Sequence, residues 1–191
     1  FSLQQGYWQW DFSLGDQFEQ GLPSLSQQLN NFPNHLKGQP ATIILQGPWS
    51  GDIAFPGGKK QKEDLNSCQT ALRELSEETG IILPHPNPVF RLEDRITRVH
   101  HIKLPMTISP WIFEADELFS PQLNHESTDS MWIPLSAFNT PSLRGTLQWK
   151  TRIGTLNMPT VEVGNHRIWG LTLSMIDSMI KSKPLYERYF L

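Results

Sequence analysis

The chain has 191 residues, 38% of them hydrophobic, and its 16 Lys and Arg against 19 Asp and Glu give a net charge of −3. This composition fits one globular domain with an extension and excludes a disordered chain. The acidic balance disfavours a nucleic-acid or anionic-membrane partner, and a lone cysteine excludes an intramolecular disulfide. No apolar run reaches the length of a membrane-spanning helix.

The N-terminal part of the chain differs in character from the rest. Residues 1–36 are predicted to form an extension that packs on a domain spanning residues 37–191. The extension carries aromatic anchors and an amphipathic helix pattern over residues 24–32. We expect a cytoplasmic protein; because the chain begins at Phe1 rather than Met, a removed leader stays open.

The rest of the chain mixes predicted strands with two predicted helices. Apolar β-branched or alternating runs predict strands over residues 41–46, 53–55, 89–92, 96–99, 105–113 and 131–134. Apolar periodicity predicts helices over residues 65–79 and 168–180. Asp64 is the expected N-cap of the first helix, and Gly80 is its expected end. This order of elements predicts an α/β fold in which a mixed sheet packs between helices.

Three carboxylates distinguish the first predicted helix. Glu74, Glu77 and Glu78 stand at positions i, i+3 and i+4, so they share one helix face. Their mutual repulsion costs stability unless a cation neutralises it, and hard divalent cations such as Mg²⁺ prefer carboxylate oxygens. On this spacing alone, a solvated acidic helix face is the simpler interpretation.

The residues around these carboxylates resemble the Nudix box. Residues 73–81 (Arg-Glu-Leu-Ser-Glu-Glu-Thr-Gly-Ile) match the second half of that signature, whereas Asp64 replaces its first Glu and stands one residue further from the Arg. Residues 55–59 (Phe-Pro-Gly-Gly-Lys), 70–74 (Thr-Ala-Leu-Arg-Glu) and 168–172 (Ile-Trp-Gly-Leu-Thr) are similar to the coenzyme A pyrophosphatase-like subgroup of that family.

One motif of the coenzyme A subgroup is missing. Its last part is present from Gly51 to Phe55, but the position of its arginine falls on Gly47. Either this chain is a divergent member with another substrate, or a segment between Gln46 and Gly47 is absent from the chain.

The resemblance implies a Nudix-type α/β/α sandwich and metal-dependent hydrolysis of a phosphoanhydride by water attack. The implied ligands of Mg²⁺ or Mn²⁺ are Glu74, Glu77, Glu78 and the carbonyl of Gly58. Glu74 or Glu78 is a candidate base, and so is Glu126, an acid on a loop before a Trp-containing strand. Arg73 is expected to orient the helix start or a carboxylate and to pair with Asp64.

Several other residues are weaker candidates. Lys59 and Lys60 could contact phosphate, and Trp49 could stack on a nucleobase, although solvated lysines and a core tryptophan explain them as well. Glu114 and Asp116 compete with Glu126 as the loop acid. The adjacent residues His100 and His101 would point to opposite faces of a strand, so they are expected to be surface or hydrogen-bonded histidines rather than metal ligands.

The substrate implied by the resemblance is coenzyme A or a derivative. Another nucleoside diphosphate derivative, such as ADP-ribose, a dinucleotide or a nucleotide sugar, is the alternative. A nucleotide-binding module without catalysis is a further alternative, disfavoured because all three box carboxylates are present. The expected partner is therefore a nucleotide-derived small molecule, with no nucleic acid and no membrane, and a homodimer stays open.

Overall fold

The structure is a computed structural model that describes residues 41–46, 53–83, 88, 90–98, 105–115, 119–151 and 154–190. The predicted extension, and with it the predicted helix over residues 24–32, lies outside these residues. So do four candidates from the sequence, namely Trp49, His100, His101 and Asp116. The described chain divides into two units, one built mainly from Gly57–Thr128 and the other from Ile53–Pro56 and Asp129 onwards.

The described elements are ten strands, three α-helices and two 3₁₀ helices, Leu135–Asn139 and Pro141–Leu143. The strands are β1 (Ala41–Gln46), β2 (Ile53–Ala54), β3 (Phe90–Arg91), β4 (Arg95–Arg98), β5 (Pro105–Ile108), β6 (Trp111–Ile112), β7 (Asp129–Pro134), β8 (Arg144–Thr151), β9 (Gly154–Val163) and β10 (His166–Trp169). The helices are α1 (Ser67–Thr79), α2 (Gly170–Lys181) and α3 (Lys183–Tyr189). The described strands form four small sheets, so the single mixed sheet stays a prediction.

The first unit contains helix α1, whose start differs from the prediction. Asn66 is the N-cap: it has extended backbone angles, and its side chain accepts a hydrogen bond from the backbone N–H of Gln69 at 3.0 Å. The predicted Asp64 cap and the earlier helix start are therefore wrong, because the Asp64 carboxylate is held by other partners. Gly80 ends the helix as predicted, in the left-handed conformation with φ of 69°.

Two antiparallel ladders complete the first unit. Strand β3 pairs with β6, and β4 pairs with β5. The single strand predicted over residues 105–113 is wrong, because the chain leaves the ladder at Ser109 and Pro110. Proline has no N–H for a ladder hydrogen bond. The carbonyl of Pro110 instead accepts a hydrogen bond from the backbone N–H of Leu92 at 3.1 Å.

The second unit contains two three-stranded sheets, with strand orders β2-β1-β7 and β10-β9-β8. The antiparallel hairpin of β8 and β9 was not predicted. On one face of this hairpin, Leu147 pairs with Met158 and Trp149 pairs with Leu156. Because Gln, Lys, Thr and Asn residues alternate with these side chains, each strand alone resembles a polar loop.

The C-terminal helix begins later than predicted. Ile168 and Trp169 belong to strand β10, and helix α2 begins at Gly170, which has a φ of 63°. Ile168 pairs with Val161 in the ladder, and both are fully buried. Trp169 is half-buried at the end of this strand, where its ring meets the ring of Trp149 edge-on with centroids 6.4 Å apart. The apolar periodicity of this segment thus continues from a strand into a helix.

The second unit has an apolar core that the described strands and helices share. Six of its large side chains have no exposed area, namely Ile133, Phe138, Val161, Ile168, Leu173 and Ile176. Among the described residues, no helix is both long enough and apolar enough to cross a bilayer.

Truncation of a core leucine should separate buried from exposed positions. Leu173 is 0% exposed and Leu156 is 46% exposed. We expect Leu173→Ala to lower the free energy of unfolding by about 2–5 kcal/mol, because it leaves a cavity. The matched variant Leu156→Ala should lower it by less than about 1 kcal/mol. Urea unfolding measures both, and equal losses would contradict the described core.

Candidate functional site

The loop that precedes α1 is fastened to the helix through the buried carboxylate of Asp64. This carboxylate accepts hydrogen bonds from the backbone N–H of Gln61 at 2.9 Å and the hydroxyl of Thr70 at 3.0 Å. Arg73 donates two more, from Nε at 3.1 Å and Nη2 at 3.0 Å. The bonds from Arg73, followed by that from Gln61, hold the pKa of Asp64 well below its ordinary value. The predicted pairing of Asp64 with Arg73 is confirmed.

Arg73 connects this loop to the carboxylates of α1. Its guanidinium lies 2.8 Å from Oε1 of Glu74 and 2.8 Å from Oε2 of Glu77, and it donates to the carbonyl of Lys59 at 3.0 Å. Only 20% of the Arg73 side chain is exposed. Arg73 is therefore not an exposed surface arginine. The guanidinium instead fixes the positions of three carboxylates relative to one another.

The three box carboxylates have different environments. Glu74 and Glu78 are buried, whereas half of the Glu77 side chain is exposed. Oε1 of Glu78 accepts a hydrogen bond from the backbone N–H of Gly57 at 2.8 Å. Gly58 lies so close to Glu74 that a Cβ at this glycine would clash with the carboxylate. A solvated acidic face is thus excluded for Glu74 and Glu78, and the two glycines contact one carboxylate each.

Burial raises the pKa of both buried carboxyls. For Glu78, burial raises the pKa to about 7; the Gly57 hydrogen bond opposes the shift, and the charges of Glu74 and Glu126 add to it. For Glu74, burial likewise raises the pKa, and Arg73 opposes the shift. Glu126, which the sequence also predicted as a site residue, therefore lies near enough to α1 for its charge to contribute to both shifts.

The loop that carries Glu126 docks on the C-terminal end of α1. The backbone N–H of Gln122 donates to the carbonyl of Thr79 at 2.7 Å, and that of Asn124 donates to the carbonyl of Glu78 at 3.4 Å. The last carbonyls of a helix have no partner within it. The loop supplies those partners, and this docking brings Glu126 beside the box carboxylates.

The oxygen donors of this site fit a hard divalent cation. Burial and the neighbouring carboxylates disfavour the ionised forms of Glu74 and Glu78, a cost that a bound cation would relieve. Carboxylate and carbonyl oxygens are also the donors that Mg²⁺ and Mn²⁺ prefer. In the described part of the chain, no group of three or more His, Cys, Asp or Glu forms a recognisable metal-binding cluster. The match between this site and a divalent cation therefore rests on the type of donor atoms and on their charge, not on a preformed ligand cluster.

The other candidates contribute less to this arrangement. The side chains of Lys59 and Lys60 are exposed, and the described interaction of Lys59 with the site is made by its carbonyl. Glu114 is exposed after β6. Cys68 is half-buried in α1, and burial raises the pKa of its thiol. A raised pKa disfavours the reactive thiolate.

The sequence interpretation missed the residues that hold the loops in place. The hydroxyl of Thr70 donates a hydrogen bond to the carboxylate of Asp64. The side-chain oxygen of Asn124 accepts one from the backbone N–H of Glu126. An Asn two residues before a candidate acid is a signal for a local turn, since its side chain can bond to the backbone two residues on. The apolar residues Ala71, Leu72 and Leu75 of α1 are only half-buried, whereas the buried residues of α1 are polar.

A comparison with family models decides the family. The model described as the NUDIX domain matches residues 37–150, more than half of the chain and all of the site described above. The chain belongs to the Nudix family. The resemblance drawn from the box is confirmed, and the chain is a Nudix hydrolase with the Nudix fold.

Curated relatives of this Nudix chain include coenzyme A diphosphatases. The mitochondrial coenzyme A diphosphatase NUDT8 of Mus musculus is 27% identical over 163 residues, which are 76% of this chain and 72% of that protein. The protein of the same name from Homo sapiens is 28% identical over 154 residues, 72% of this chain and 60% of that protein. The peroxisomal coenzyme A diphosphatase NUDT7 of Mus musculus is 32% identical over 71 residues, 37% of this chain and 23% of that protein.

Two solved structures also match the Nudix chain. An Ap4A hydrolase binary complex from C. elegans is 21% identical with a TM-score of 0.44, and it covers 51% of this chain and 71% of that chain. The NUDIX domain of Shewanella oneidensis NrtR complexed with ADP ribose is 19% identical with a TM-score of 0.41, and it covers 58% of this chain and 83% of that chain. At these scores the family assignment rests on the family model.

Glu78 should make the stability of the Nudix domain depend on pH. Its pKa is raised from 4.5 to about 7 in the folded protein, so the stability it contributes is complete below pH 4.5 and is lost as the pH rises through 7. In EDTA, we expect this group to lower the free energy of unfolding by up to about 3 kcal/mol across that range. The opposite effect of Asp64 is lost only below its ordinary pKa of 3.8.

Urea unfolding at the two ends of this range measures the effect. Glu78→Gln should reduce the decrease in stability, because glutamine does not ionise, and the remaining decrease should come from Glu74. The matched variant Glu187→Gln, on the exposed face of α3, should retain it. If the stability of Glu78→Gln depended on pH as that of the wild type does, Glu78 would not be the group whose raised pKa causes the effect.

Arg73 should be irreplaceable by lysine. Lysine keeps the charge but lacks the planar fork that binds Asp64, Glu74 and Glu77 at once. We expect Arg73→Lys to lower the free energy of unfolding by about 2 kcal/mol. Arg91→Lys, at the exposed ion pair with Asp94, should lower it by less than about 0.5 kcal/mol. A loss for Arg73→Lys as small as that expected for Arg91→Lys, measured by urea unfolding, would show that the Arg73 fork is dispensable.

Proposed function

We propose that this Nudix hydrolase is a divalent-metal-dependent pyrophosphohydrolase that cleaves the phosphoanhydride of coenzyme A or a derivative. The observation that carries the chemistry is the pair of buried carboxylates on α1 whose pKa values are raised, with Glu126 beside them. Such a concentration of negative charge has a chemical use when a cation and a phosphate group occupy the site. The products would be adenosine 3′,5′-bisphosphate and 4′-phosphopantetheine.

Coenzyme A is preferred as the substrate because of sequence similarity to proteins that bear its name. Three relatives bear the name coenzyme A diphosphatase, at 27–32% identity. The runs at residues 55–59 and 168–172 are also similar to that subgroup. The missing upstream arginine motif supports another nucleoside diphosphate derivative, so the assay below includes several of these.

The proposed cation would be held by Glu74, Glu78 and the carbonyl of Gly58, with Glu77 as a further ligand. When bound, Mg²⁺ or Mn²⁺ supplies charge neutralisation for the phosphate oxygens and lowers the pKa of the attacking water. The burial of Glu74 and Glu78 excludes water from their carboxylates and strengthens their interaction with a cation.

Glu126 is the proposed general base. Among the described residues it forms no ion pair, unlike Glu74 and Glu77, which Arg73 holds. In the proposed step, the water oxygen forms a bond to phosphorus and its proton passes to the Glu126 carboxylate. The bridging P–O bond breaks, and the leaving phosphate keeps the electron pair. Arg73 acts as a positioning residue, because its guanidinium orients carboxylates rather than substrate.

The remaining expectations from the sequence stay predictions. Phosphate contacts by Lys59 and Lys60, stacking by Trp49, the sandwich arrangement of the domain, the extension over residues 1–36 and a homodimer belong to this group. The relatives carry mitochondrial and peroxisomal names, which do not support the cytoplasmic location expected from the sequence.

A product-resolved hydrolysis assay with Mg²⁺ tests the proposal. Coenzyme A, ADP-ribose, NADH, a dinucleoside polyphosphate and a nucleotide sugar are compared at equal concentration. We expect coenzyme A to be cleaved fastest, EDTA to abolish turnover, and Glu78→Gln to lower the rate by roughly 100-fold or more. Glu187→Gln, which makes the same charge change on α3, should keep the wild-type rate.

Each alternative outcome of this assay has a defined meaning. A higher kcat/KM for another compound would overturn coenzyme A as the substrate and retain the reaction class. Turnover that persists in EDTA would overturn the metal assignment. Binding of a nucleotide without turnover of any compound would favour the non-catalytic module.

A further inference from the structure

The side chain of Asn124 makes a hydrogen bond that the proposed reaction does not yet use. Its Oδ1 accepts from the backbone N–H of Glu126 at 2.8 Å, which closes a local turn of the Asx type. Asn124 is itself half-buried, and its backbone N–H faces the carbonyl of Glu78 at 3.4 Å. One residue thus contacts the candidate base through its side chain and a box residue through its backbone.

The attachment of the loop to α1 does not depend on this side chain. The shorter hydrogen bond of the loop, 2.7 Å, joins the N–H of Gln122 to the carbonyl of Thr79. Gly80 also lies against Gln122, since a Cβ at Gly80 would approach the Gln122 Cβ to 3.2 Å. Gln122, two positions before Asn124, therefore fastens the loop to α1. The Asn124 side chain is left to fix the conformation at Glu126.

The conformation at Glu126 decides where its carboxylate lies. Without an acceptor at residue 124, the backbone N–H of Glu126 loses its described partner, and the turn loses the bond that selects one conformation. Glu126 is half-buried and precedes the buried Ser127, so a change in its backbone direction moves the carboxylate relative to Glu74 and Glu78. A shift of about 1 Å in a catalytic group can lower a rate by up to roughly 100-fold.

We infer that Asn124 is a positioning residue that holds Glu126 in place for proton abstraction from water, through the hydrogen bond from the Glu126 backbone N–H to Asn124 Oδ1. This inference rests on the proposed function, because it assigns Asn124 a role through the proposed base. The proton still passes from water to the Glu126 carboxylate, and Asn124 takes no part in the transfer.

A double-mutant cycle in the full chain tests this role. The variants are Asn124→Ala, Glu126→Gln and the two combined, and kcat and KM for coenzyme A are measured with Mg²⁺. We expect Asn124→Ala to lower kcat by about 10-fold with KM within about 2-fold, since only orientation of the base changes. In the Glu126→Gln background, Asn124→Ala should have no further effect, because residues that act as a unit are non-additive.

Two further variants separate positioning from a merely structural role. Asn124→Ser keeps a side-chain oxygen that can accept the same hydrogen bond more weakly, so it should recover part of the lost kcat. Asn157→Ala, an exposed asparagine of β9, should keep the wild-type kcat. Urea unfolding should stay cooperative in all variants, with a midpoint only slightly lower for Asn124→Ala, because the turn loses one hydrogen bond.

The outcomes distinguish failure of this inference from failure of the proposed function. Additive losses in the cycle, or loss of cooperative unfolding in both Asn124 variants, would overturn the inference and leave the hydrolase intact. A wild-type rate in Glu126→Gln would overturn the base assignment and, with it, the role of Asn124. Absence of turnover by the wild-type chain on every compound of the assay would overturn both.

Discussion

The first unit depends on one electrostatic constraint: several carboxylates must be held close together at the C-terminal end of a helix. Glu77 and Glu78 lie in the last turn of α1, where the helix dipole disfavours negative charge, and no basic residue stands in that turn. Burial of Glu74 and Glu78 adds a desolvation cost. An arrangement that costs stability in this way is expected where the charge has a chemical use.

The contacts around α1 offset this cost without removing the charge. Arg73 binds carboxylates from one side, and its own position is fixed by Asp64, whose low pKa keeps that partner ionised. The Gly57 N–H, in the loop that precedes α1, stabilises the ionised form of Glu78. The absence of a side chain at Gly58 lets Glu74 approach the backbone. The resulting negative charge is positioned but only partly neutralised, which suits a site that receives a cation.

The same constraint explains the loop over residues 122–126. A helix end carries carbonyls without partners, and here backbone N–H groups of the loop supply them rather than basic side chains. The docking of this loop brings a further carboxylate, Glu126, to the acidic end of α1. The turn closed by Asn124 then sets the direction of that carboxylate. Helix capping and the assembly of the proposed base are thus one structural arrangement.

Local spacing in the sequence determined the features that a helix fixes by itself. The i, i+3 and i+4 positions placed the three carboxylates of α1 together, and Gly80 predicted its end, because both depend on backbone geometry within one turn. The match over residues 73–81 likewise indicated the family. The Asn66 cap was missed because the competing residue, Asp64, is held by Arg73 nine positions away.

Contacts between distant residues decided the rest. Which carboxylates are buried depends on Gly57, 21 positions from Glu78, and on the loop of Glu126. The β8–β9 hairpin and the placement of Ile168 in a strand depend on cross-strand pairing, which no single segment specifies. The sequence by itself determined the acidic helix and its family; the tertiary structure decided which acids are buried, which one Arg73 holds at the surface and which loop approaches them. Burial and pairing are properties of neighbours in space, and spacing along the chain reports only neighbours in a helix turn.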